Sequence, residues 1–302
     1  MTDPGASRHP EWLRVRVRPS PAARQCERVL GELGVETVCR SCRCPNTHEC
    51  WDRGTATFMI LGTTCTRACG FCAVSTGAPR PVQPDEPSRV AAACKRLALR
   101  HVVVTSVTRD DLPDGGASQF AATAQAVRRE LPTATVELLV PDFQGCEESL
   151  QKVLASHPDV LGHNVETVPR LYRVVRSRAD YRTSLGLLDL ARRRDGVRTK
   201  GGFMLGLGET PTEVRAVMAD LREAGCEILT IGQYLPPSRR HLPVARLVPP
   251  EEFAELAAVA RDLGFAAVAA GPLVRSSYRA AALLAEAAAA AERAIDARWA
   301  AV

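Results

Sequence analysis

The sequence has no long hydrophobic run and no apolar segment near its first residue. No stretch approaches the roughly 18 consecutive apolar residues of a membrane-spanning helix, and residues 1–20 lack the apolar core of a secretory signal. The Ala-rich tail 280–302 carries five charged residues, so it predicts a polar helix rather than a membrane span. These absences predict a cytoplasmic protein with no membrane partner.

The chain also has no large excess of charge of either sign. The formal net charge is +5 over 302 residues, far from the concentrated basic excess of a nucleic-acid-binding protein, so we predict no nucleic-acid partner. The six histidines show no paired metal-ligand spacing, and the chain has neither an internal repeat nor a long disordered linker. With 46% hydrophobic residues, the chain has enough apolar material for one large α/β domain or two smaller ones.

Cysteine, in contrast, is abundant and clustered. Without a secretory signal, clustered cysteines indicate metal ligands rather than disulfides. Three thiolates can hold three irons of a cubic [4Fe–4S] cluster and leave the fourth iron for another ligand. The sequence therefore predicts two [4Fe–4S] clusters, each with one non-cysteine ligand. Their proposed ligands are the first triplet (Cys39, Cys44 and Cys50) and the second triplet (Cys65, Cys69 and Cys72).

A zinc site is the alternative interpretation of these cysteines. Cys39 and Cys42 form one CxxC pair and Cys69 and Cys72 another, but residues 43–68 separate them by 26 positions, against roughly 15–20 in common zinc motifs. Zinc would also leave three clustered cysteines without a role: Cys44, Cys50 and Cys65. We interpret Cys42 as a bystander between the proposed cluster ligands.

From residue 56 onward, short apolar runs alternate with amphipathic segments. The predicted strands are 56–62, 101–107, 135–140, 159–165, 200–207, 227–233 and 265–270. The predicted helices are 88–99, 117–130, 147–156, 181–194, 211–224 and 250–263, with Ser88 and Thr210 as N-caps and Pro211 in a first turn. This alternation predicts an α/β fold with a parallel sheet.

Six β/α units are too few for a closed eightfold barrel, so we predict a partial (β/α)6 TIM-like barrel. The barrel would span residues 56–271, with an irregular N-terminal extension (1–55) and a C-terminal extension (272–302) that meet over its mouth. The second triplet follows the first strand, at the edge where catalytic groups gather.

Asn164 and Glu166 end the fourth strand and predict contacts with cofactor ribose or substrate, with a strand-end cap as the alternative. Glu209 is predicted to accept backbone N–H groups.

The CX3CX2C spacing of the second triplet, followed by β/α units, resembles the radical S-adenosylmethionine (SAM) superfamily. The resemblance implies a cluster whose open iron binds the amino and carboxylate groups of SAM. Reductive cleavage then gives methionine and a 5′-deoxyadenosyl radical, which abstracts hydrogen from an unactivated carbon. It also implies that Gly115 and Gly116 let the backbone approach the methionine part of SAM, since glycine has no Cβ. A simple turn is the alternative role for this DGG stretch.

The first triplet resembles the auxiliary-cluster motif of lipoyl synthases, and the likeness extends along most of the chain. Further segments that resemble this family are 104–120, 136–145, 162–176, 199–209, 230–244 and 269–280. The resemblance implies that Ser277, in the RSSY motif 275–278, binds the fourth iron of the auxiliary cluster, with Ser276 as the fallback. Without it, we would interpret the serine pair as a turn or cap.

The reaction implied by this resemblance is insertion of two sulfur atoms at C6 and C8 of a protein-bound octanoyl-lysine. Two SAM molecules would supply two radicals, and the auxiliary cluster would be consumed as the sulfur source. The implied partners are octanoylated lipoyl domains (2-oxoacid dehydrogenase E2 subunits and glycine cleavage H protein), an electron donor such as ferredoxin or flavodoxin, and an iron–sulfur carrier protein.

Some features depart from that family or leave alternatives open. Segment 73–77 lacks the Asp and His of many lipoyl synthases, and Arg279 replaces the His that often follows RSSY. The rival hypotheses are a radical SAM enzyme with a different thiolated product, and a non-catalytic iron–sulfur or zinc sensor. Arg239, Arg240 and the RVRVR run 14–18 predict either a basic face for an acidic lipoyl domain or a merely solvated surface.

Overall fold

The computed structural model describes residues 10–15, 20–42 and 44–299, and of residues 294–299 only the backbone. Seven parallel strands, each hydrogen-bonded to the next, form one sheet in the order β1-β4-β5-β6-β7-β8-β9, and β2 pairs separately with β3. The strands are β1 (Thr57–Ile60), β2 (Thr64–Cys65), β3 (Ser75–Thr76), β4 (His101–Ser106), β5 (Thr135–Leu139), β6 (Val160–Gly162), β7 (Arg198–Leu205), β8 (Ile228–Gln233) and β9 (Ala267–Gly271).

Helices alternate with the strands, as an all-parallel sheet requires. They are α1 (Pro21–Leu33), α2 (Val38–Ser41), α3 (Thr47–Asp52), α4 (Glu86–Arg96), α5 (Ala117–Glu130), α6 (Glu147–Leu154), α7 (Tyr172–Val175), α8 (Tyr181–Arg192), α9 (Pro211–Glu223), α10 (Pro250–Asp262) and α11 (Ala280–Trp299). Thr210 caps α9 in a capping box with Glu213, and Pro211 occupies the first turn as predicted. Glu209 accepts the N–H groups of Gly206 and Leu207, also as predicted.

The predicted partial barrel is confirmed, and all seven predicted strands are present with small shifts at their ends. Two local predictions were wrong. Helix α4 begins at Glu86, before Ser88, because Pro87 fits its first turn, where a missing N–H costs no helical hydrogen bond. Residues 1–55 are not irregular throughout: α1 begins at its Ser20 cap and buries one apolar face.

The last helix packs on the barrel. Helix α11 lies against β9, β8 and β4, and its Leu283 and Ala287 pack with Ile228 and Ala267 at the starts of β8 and β9. Alanine side chains let the helix approach the strands closely. Among the helices of the described ranges, none is both long and apolar enough to cross a membrane.

A buried ion pair lies among the strands. Lys200 Nζ on β7 donates to Glu137 Oε1 on β5 at 2.7 Å, and both side chains are at most 2% exposed. Burial alone would raise the pKa of Glu137, but the interactions with Lys200 and His101 together outweigh burial and lower that pKa. His101 Nε2 on β4 lies 3.5 Å from the other carboxylate oxygen.

Breaking this pair should be costly. We expect Lys200→Met or Glu137→Gln to lower the free energy of unfolding by about 3–5 kcal/mol, because either change strands the remaining charged group in the interior. Urea denaturation followed by circular dichroism measures this. The double variant Lys200→Met/Glu137→Leu should recover most of the loss, and single variants within about 1 kcal/mol of wild type would contradict the expectation.

Candidate functional site

The first triplet is built on two short helices and the turn between them. Cys39 lies in α2, Cys50 in α3, and the Cys44 N–H donates to the Cys39 carbonyl at 3.0 Å. Burial, and then the charges of Cys44 and Cys39, raise the pKa of Cys50 to about 12. Because iron binds thiolates, loading a cluster on this triplet must displace the thiol protons.

Nearby groups of positive potential would stabilise the thiolate forms of the first triplet. Burial raises the pKa of Cys39, while the Thr57 backbone N–H and the nearby Trp51 indole work to lower it. The Trp51 indole nitrogen is buried and forms no hydrogen bond within the described residues. Arg275, in the RSSY motif, lies close enough to Cys44 for its charge to favour that thiolate. The first triplet thus lies in surroundings that partly offset its charge.

The RSSY segment lies against the first triplet, as the sequence predicted for the two extensions. The Asn46 side-chain amide donates to the Leu273 carbonyl at 2.6 Å, and the Tyr278 hydroxyl donates to Glu49 Oε1 at 3.2 Å. On the barrel side the segment packs so closely on β8 that a Cβ at Gly232 would lie 2.2 Å from the Val274 carbonyl oxygen. Direct approach of Ser277 to Cys39 stays a prediction.

The two RSSY serines differ in their surroundings. Ser276 Oγ is buried without a hydrogen-bond partner, a condition that Ser277 Oγ does not share. A buried hydroxyl without a partner is costly, unless it serves a ligand. One buried thiol, Cys39, two half-buried thiols, Cys44 and Cys50, and one unpartnered hydroxyl form a donor set that fits a cubic iron–sulfur cluster. No three His, Cys, Asp or Glu side chains among the described residues have the geometry of a single-ion site.

The second triplet lies in the loop that leaves β1 at the carboxyl edge of the sheet. Cys65 ends β2, and its sulfur accepts the Arg67 backbone N–H at 3.4 Å. The Cys72 N–H donates to the Cys69 carbonyl at 3.1 Å, which closes a tight turn. The pKa of Cys72 is raised to about 12, and burial contributes more to this shift than any neighbouring charge. The loop therefore holds three thiols near one another at the barrel mouth.

A buried arginine fixes this loop to the sheet. Arg67 is 6% exposed and forms two-pronged hydrogen bonds with Asp110, at 2.7 and 2.9 Å, and with Asp142, at 2.6 and 2.7 Å. Burial opposes the guanidinium charge, but the two carboxylates outweigh it and raise the pKa of Arg67. Asp110 and Asp142 follow the neighbouring strands β4 and β5. One side chain thus ties the cysteine loop to two strand ends.

The sequence resemblance implies that the second triplet binds the cluster that cleaves SAM, and replacing Arg67 with methionine should then impair this cleavage strongly. The change leaves Asp110 and Asp142 unpaired in the interior and removes the tie that holds Cys65 and Cys69. We expect at least a tenfold lower cleavage rate per loaded cluster and an altered electron paramagnetic resonance (EPR) signal with SAM. Arg67→Lys should rescue only part, because lysine lacks the planar fork.

Arg109 provides the matched control for this experiment. It is also buried and pairs with a carboxylate, Asp111, but its side chain reaches the loop after β1 only through a long hydrogen bond, 3.4 Å, to the Leu61 carbonyl, four residues before Cys65. Arg109→Met should lower stability without changing the EPR signal of the SAM-bound cluster. Equal spectra for the Arg67→Met variant and wild type would contradict a positioning role for Arg67.

Cys42 and Glu166 lie between the two triplets. Burial is the main cause that raises the pKa of Cys72, and the charge of Cys42 adds to it. The charges of Cys44 and Cys39 in turn help to raise the pKa of Cys42. Glu166 lies within electrostatic range of both Cys42 and Cys69. The second triplet follows β1, and Asn46 beside the first triplet binds the Leu273 carbonyl just after β9, so both triplets lie at one mouth of the barrel.

Glu166 has two marks of a functional residue. Its φ of +65° is unusual for a residue with a side chain, and burial raises its pKa against the attraction of Arg176. The neighbouring Asn164 has a buried Oδ1 without a hydrogen-bond partner. An unsatisfied amide oxygen and a strained acid side by side are typical of a site that binds a polar ligand.

Gly115 and Gly116 form the turn before α5. Gly116 has a φ of +92°, and a Cβ there would lie 2.3 Å from Leu61 Cδ1, so the turn itself requires glycine. The Gly116 N–H donates to Asp114 Oδ1, and the Gly115 N–H donates to the Leu112 carbonyl. The packing accounts for both glycines, and their contact with SAM stays a prediction.

Sequence reasoning missed the network around Arg67. Asp110 and Asp142 each come just after a predicted strand, and carboxyl ends of adjacent parallel strands meet at one edge of a sheet. That pattern, together with an arginine between two predicted ligands, was the available signal. Trp51, next to Cys50, was also missed, and its sequence position alone gives no reason to expect its indole to face Cys39.

Comparison with known proteins adds independent evidence. The Radical SAM superfamily matches residues 59–221. The chain is 57% identical over 283 residues to the lipoyl synthase of Methylococcus capsulatus, covering 92% of this chain and 87% of that protein. It is 53% identical over 277 residues to the lipoyl synthase of Rubrobacter xylanophilus, covering 91% and 86%.

Solved structures with little sequence identity share the fold. HydG, a maturase of the [FeFe]-hydrogenase, has a TM-score of 0.58 at 14% identity, covering 71% of this chain and 51% of that one. Streptococcus suis SuiB bound to S-adenosylmethionine has a TM-score of 0.54 at 9% identity, covering 72% and 50%. At such identities the likeness extends to the fold alone.

Proposed function

The chain belongs to the lipoyl synthases of the radical SAM superfamily, and from this premise we propose a role for each part of its barrel mouth. The enzyme inserts two sulfur atoms, at C6 and C8, into a protein-bound octanoyl-lysine. The observation that supports our assignment of residues is the meeting of both cysteine triplets at one barrel mouth, with Cys42 and Glu166 between them.

The second triplet is the proposed site of radical generation. Cys65, Cys69 and Cys72 would bind one [4Fe–4S] cluster and leave its fourth iron for SAM. Glu166 and Asn164, beside Cys69, are the proposed polar contacts of SAM, and Gly115 and Gly116 would flank its methionine part. When bound, this cluster and SAM supply the radicals, and the cluster on the first triplet supplies the sulfur.

The first triplet is the proposed sulfur-donating site. Cys39, Cys44 and Cys50 would bind three irons of the auxiliary cluster, and a serine of the RSSY motif the fourth. The sequence resemblance favours Ser277, whereas the buried, unpartnered hydroxyl favours Ser276. An oxygen ligand is harder than thiolate and is more easily displaced from iron, which suits a cluster that must be dismantled.

Protein lipoyl domains are the substrates of this enzyme family. We further propose 2-oxoacid dehydrogenase E2 subunits and glycine cleavage H protein as the carriers, ferredoxin or flavodoxin as the electron donor, and an iron–sulfur carrier protein for reloading. The proposed domains are the extension 1–55, the barrel 56–271 and the extension 272–302. Free thiols throughout the chain suit the cytoplasm, where we propose that it acts.

An anaerobic assay tests this function. The reconstituted protein, with SAM, dithionite and an octanoylated lipoyl domain, should yield the mass of the lipoylated domain. Iron and sulfide analysis should give about eight of each per chain, as two cubic clusters require. Thiolation of another substrate but not of octanoyl-lysine would favour a different radical SAM enzyme, and stoichiometric zinc would contradict both cluster assignments.

A further inference from the structure

Three loops of the barrel mouth meet at Gly70, inside the second triplet. The Gly70 N–H donates to the Val175 carbonyl at 3.0 Å, and its own carbonyl accepts the Leu242 N–H at 3.1 Å. A Cβ at position 70 would lie 3.0 Å from the Leu242 side chain and 3.2 Å from the Val174 carbonyl oxygen. The cysteine loop is therefore enclosed between the segments 173–178 and 238–242.

Further hydrogen bonds fix the same arrangement. Arg178 donates to the Thr66 carbonyl at 2.9 Å, and His241 Nε2 lies 3.0 Å from the Cys72 carbonyl oxygen. Both contacts join a flanking segment directly to the cysteine loop. Side chains exposed on these segments consequently border the opening through which a substrate reaches the second triplet.

The charge on these loops has one sign. Residues 66–84, 167–179 and 234–249 contain no aspartate or glutamate. Nearby Arg170 and Arg246 are neutralised by Glu213 and Glu252. Five other arginines on these loops are exposed and pair with no carboxylate in the described parts of the chain: Arg80, Arg173, Arg178, Arg239 and Arg240. We call the four on the flanking segments, Arg173, Arg178, Arg239 and Arg240, the arginine rim.

An apolar residue accompanies the arginine rim. Val174, next to Arg173, is 63% exposed, the largest fraction among the exposed large hydrophobic residues of the described ranges. Its carbonyl oxygen would lie 3.2 Å from a Cβ at Gly70, so its backbone lies directly beside the cysteine loop. An exposed apolar residue bordered by unpaired arginines is typical of the centre and edge of a protein interface.

We propose that the arginine rim and Val174 form the docking surface for the acidic face of the protein domain that presents the octanoyl-lysine. This inference rests on the proposed function and identifies where its protein substrate binds. Unpaired cations of one sign steer an acidic partner towards the mouth and fix its orientation, because complementary charges attract across an interface. A domain docked here presents its acyl-lysine beside the second triplet.

Charge reversal of the rim tests the proposal. The variants are Arg239→Glu/Arg240→Glu and Arg173→Glu, each assayed with an octanoylated lipoyl domain and with a short, uncharged octanoyl-lysine peptide. For the domain we expect KM to rise about tenfold and to depend less on salt, because most of the attraction between the rim and an acidic partner is lost. For the peptide, which has no acidic face, KM and kcat should stay within about twofold.

Arg129 and Arg261 provide the matched control. They are exposed, have no carboxylate partner in the described residues, and lie in the last turns of α5 and α10, at the end of the barrel opposite the mouth. Arg129→Glu/Arg261→Glu makes the same change in net charge as Arg239→Glu/Arg240→Glu, and its KM for the domain should stay within about twofold of the wild-type value.

The outcomes separate this proposal from the proposed function. Equal increases in KM for domain and peptide, or an equal effect of the control variant, would overturn the docking surface while leaving sulfur insertion intact. If the wild-type protein thiolates neither substrate, the proposed function itself fails. Should the glutamate variants fold poorly, Arg239→Gln/Arg240→Gln should still raise KM for the domain selectively, by about threefold.

Discussion

Replacing Cys44 with alanine should leave SAM cleavage intact while abolishing the lipoyl product. Cys44 belongs to the first triplet, and its backbone interacts with Cys39 rather than with the loop of Cys65, Cys69 and Cys72. The variant therefore keeps the site that generates radicals and loses the site that donates sulfur. Iron content should fall from about eight to about four atoms per chain. Quantifying 5′-deoxyadenosine and lipoylated domain in the same reaction measures both functions.

Two other cysteine variants control this experiment. Cys69→Ala should abolish both 5′-deoxyadenosine and lipoyl product, because it removes a proposed ligand of the second triplet. Cys42→Ala should retain both products and about eight irons, although Cys42 lies between the triplets. Lipoyl formation by Cys44→Ala, or its loss in Cys42→Ala, would contradict the division of roles between the cysteines.

Alanine at Ser276 should reduce lipoyl formation far more than alanine at Ser277. The Ser276 hydroxyl is the buried one without a hydrogen-bond partner, so we propose the fourth iron of the auxiliary cluster as the partner it lacks. We expect about 100-fold less product from Ser276→Ala and less than about threefold from Ser277→Ala. SAM cleavage should continue in both variants. The reverse order would assign the ligand to Ser277, as the sequence resemblance implies.

A cysteine variant tests why an oxygen ligand is used. Ser276→Cys should restore a spectroscopically intact auxiliary cluster, because thiolate binds iron firmly. It should still form less lipoyl product than wild type, since a thiolate ligand is harder to displace when the cluster must open. Full product formation by Ser276→Cys would show that ligand exchange at this iron does not limit the reaction.

The fold was predictable because its signals are local and repeated. Each buried strand is a short apolar run, and caps such as Thr210 with Pro211 mark where helices begin. The N-terminal helices were missed because their signals conflict. Cysteine, proline and arginine crowd the region, and α1 shows its apolar face only when residues such as Ala23, Cys26 and Leu30 are read at helical spacing.

The ligand sets were partly predictable, but their surroundings were not. Spacing along the chain identified both triplets, since a loop with three nearby cysteines needs no tertiary information. The burial of Ser276 depends on residues more than 200 positions away, such as Asn46, which binds the Leu273 carbonyl. Likewise, Arg67 gains its role only when two strand ends bring Asp110 and Asp142 to it. The roles of such residues depend on tertiary geometry and cannot be predicted from the sequence pattern.

The contacts between the two extensions have a further consequence for an enzyme that consumes its own cluster. Asn46 with Leu273, Glu49 with Tyr278, and Gly232 with Val274 join the ligand-bearing segments to each other and to the barrel through contacts between protein groups alone. In many small metalloproteins the metal drives folding, and its loss unfolds the site. Here the emptied site should keep its shape after each turnover, so regeneration is a matter of delivering iron and sulfide rather than of refolding the chain.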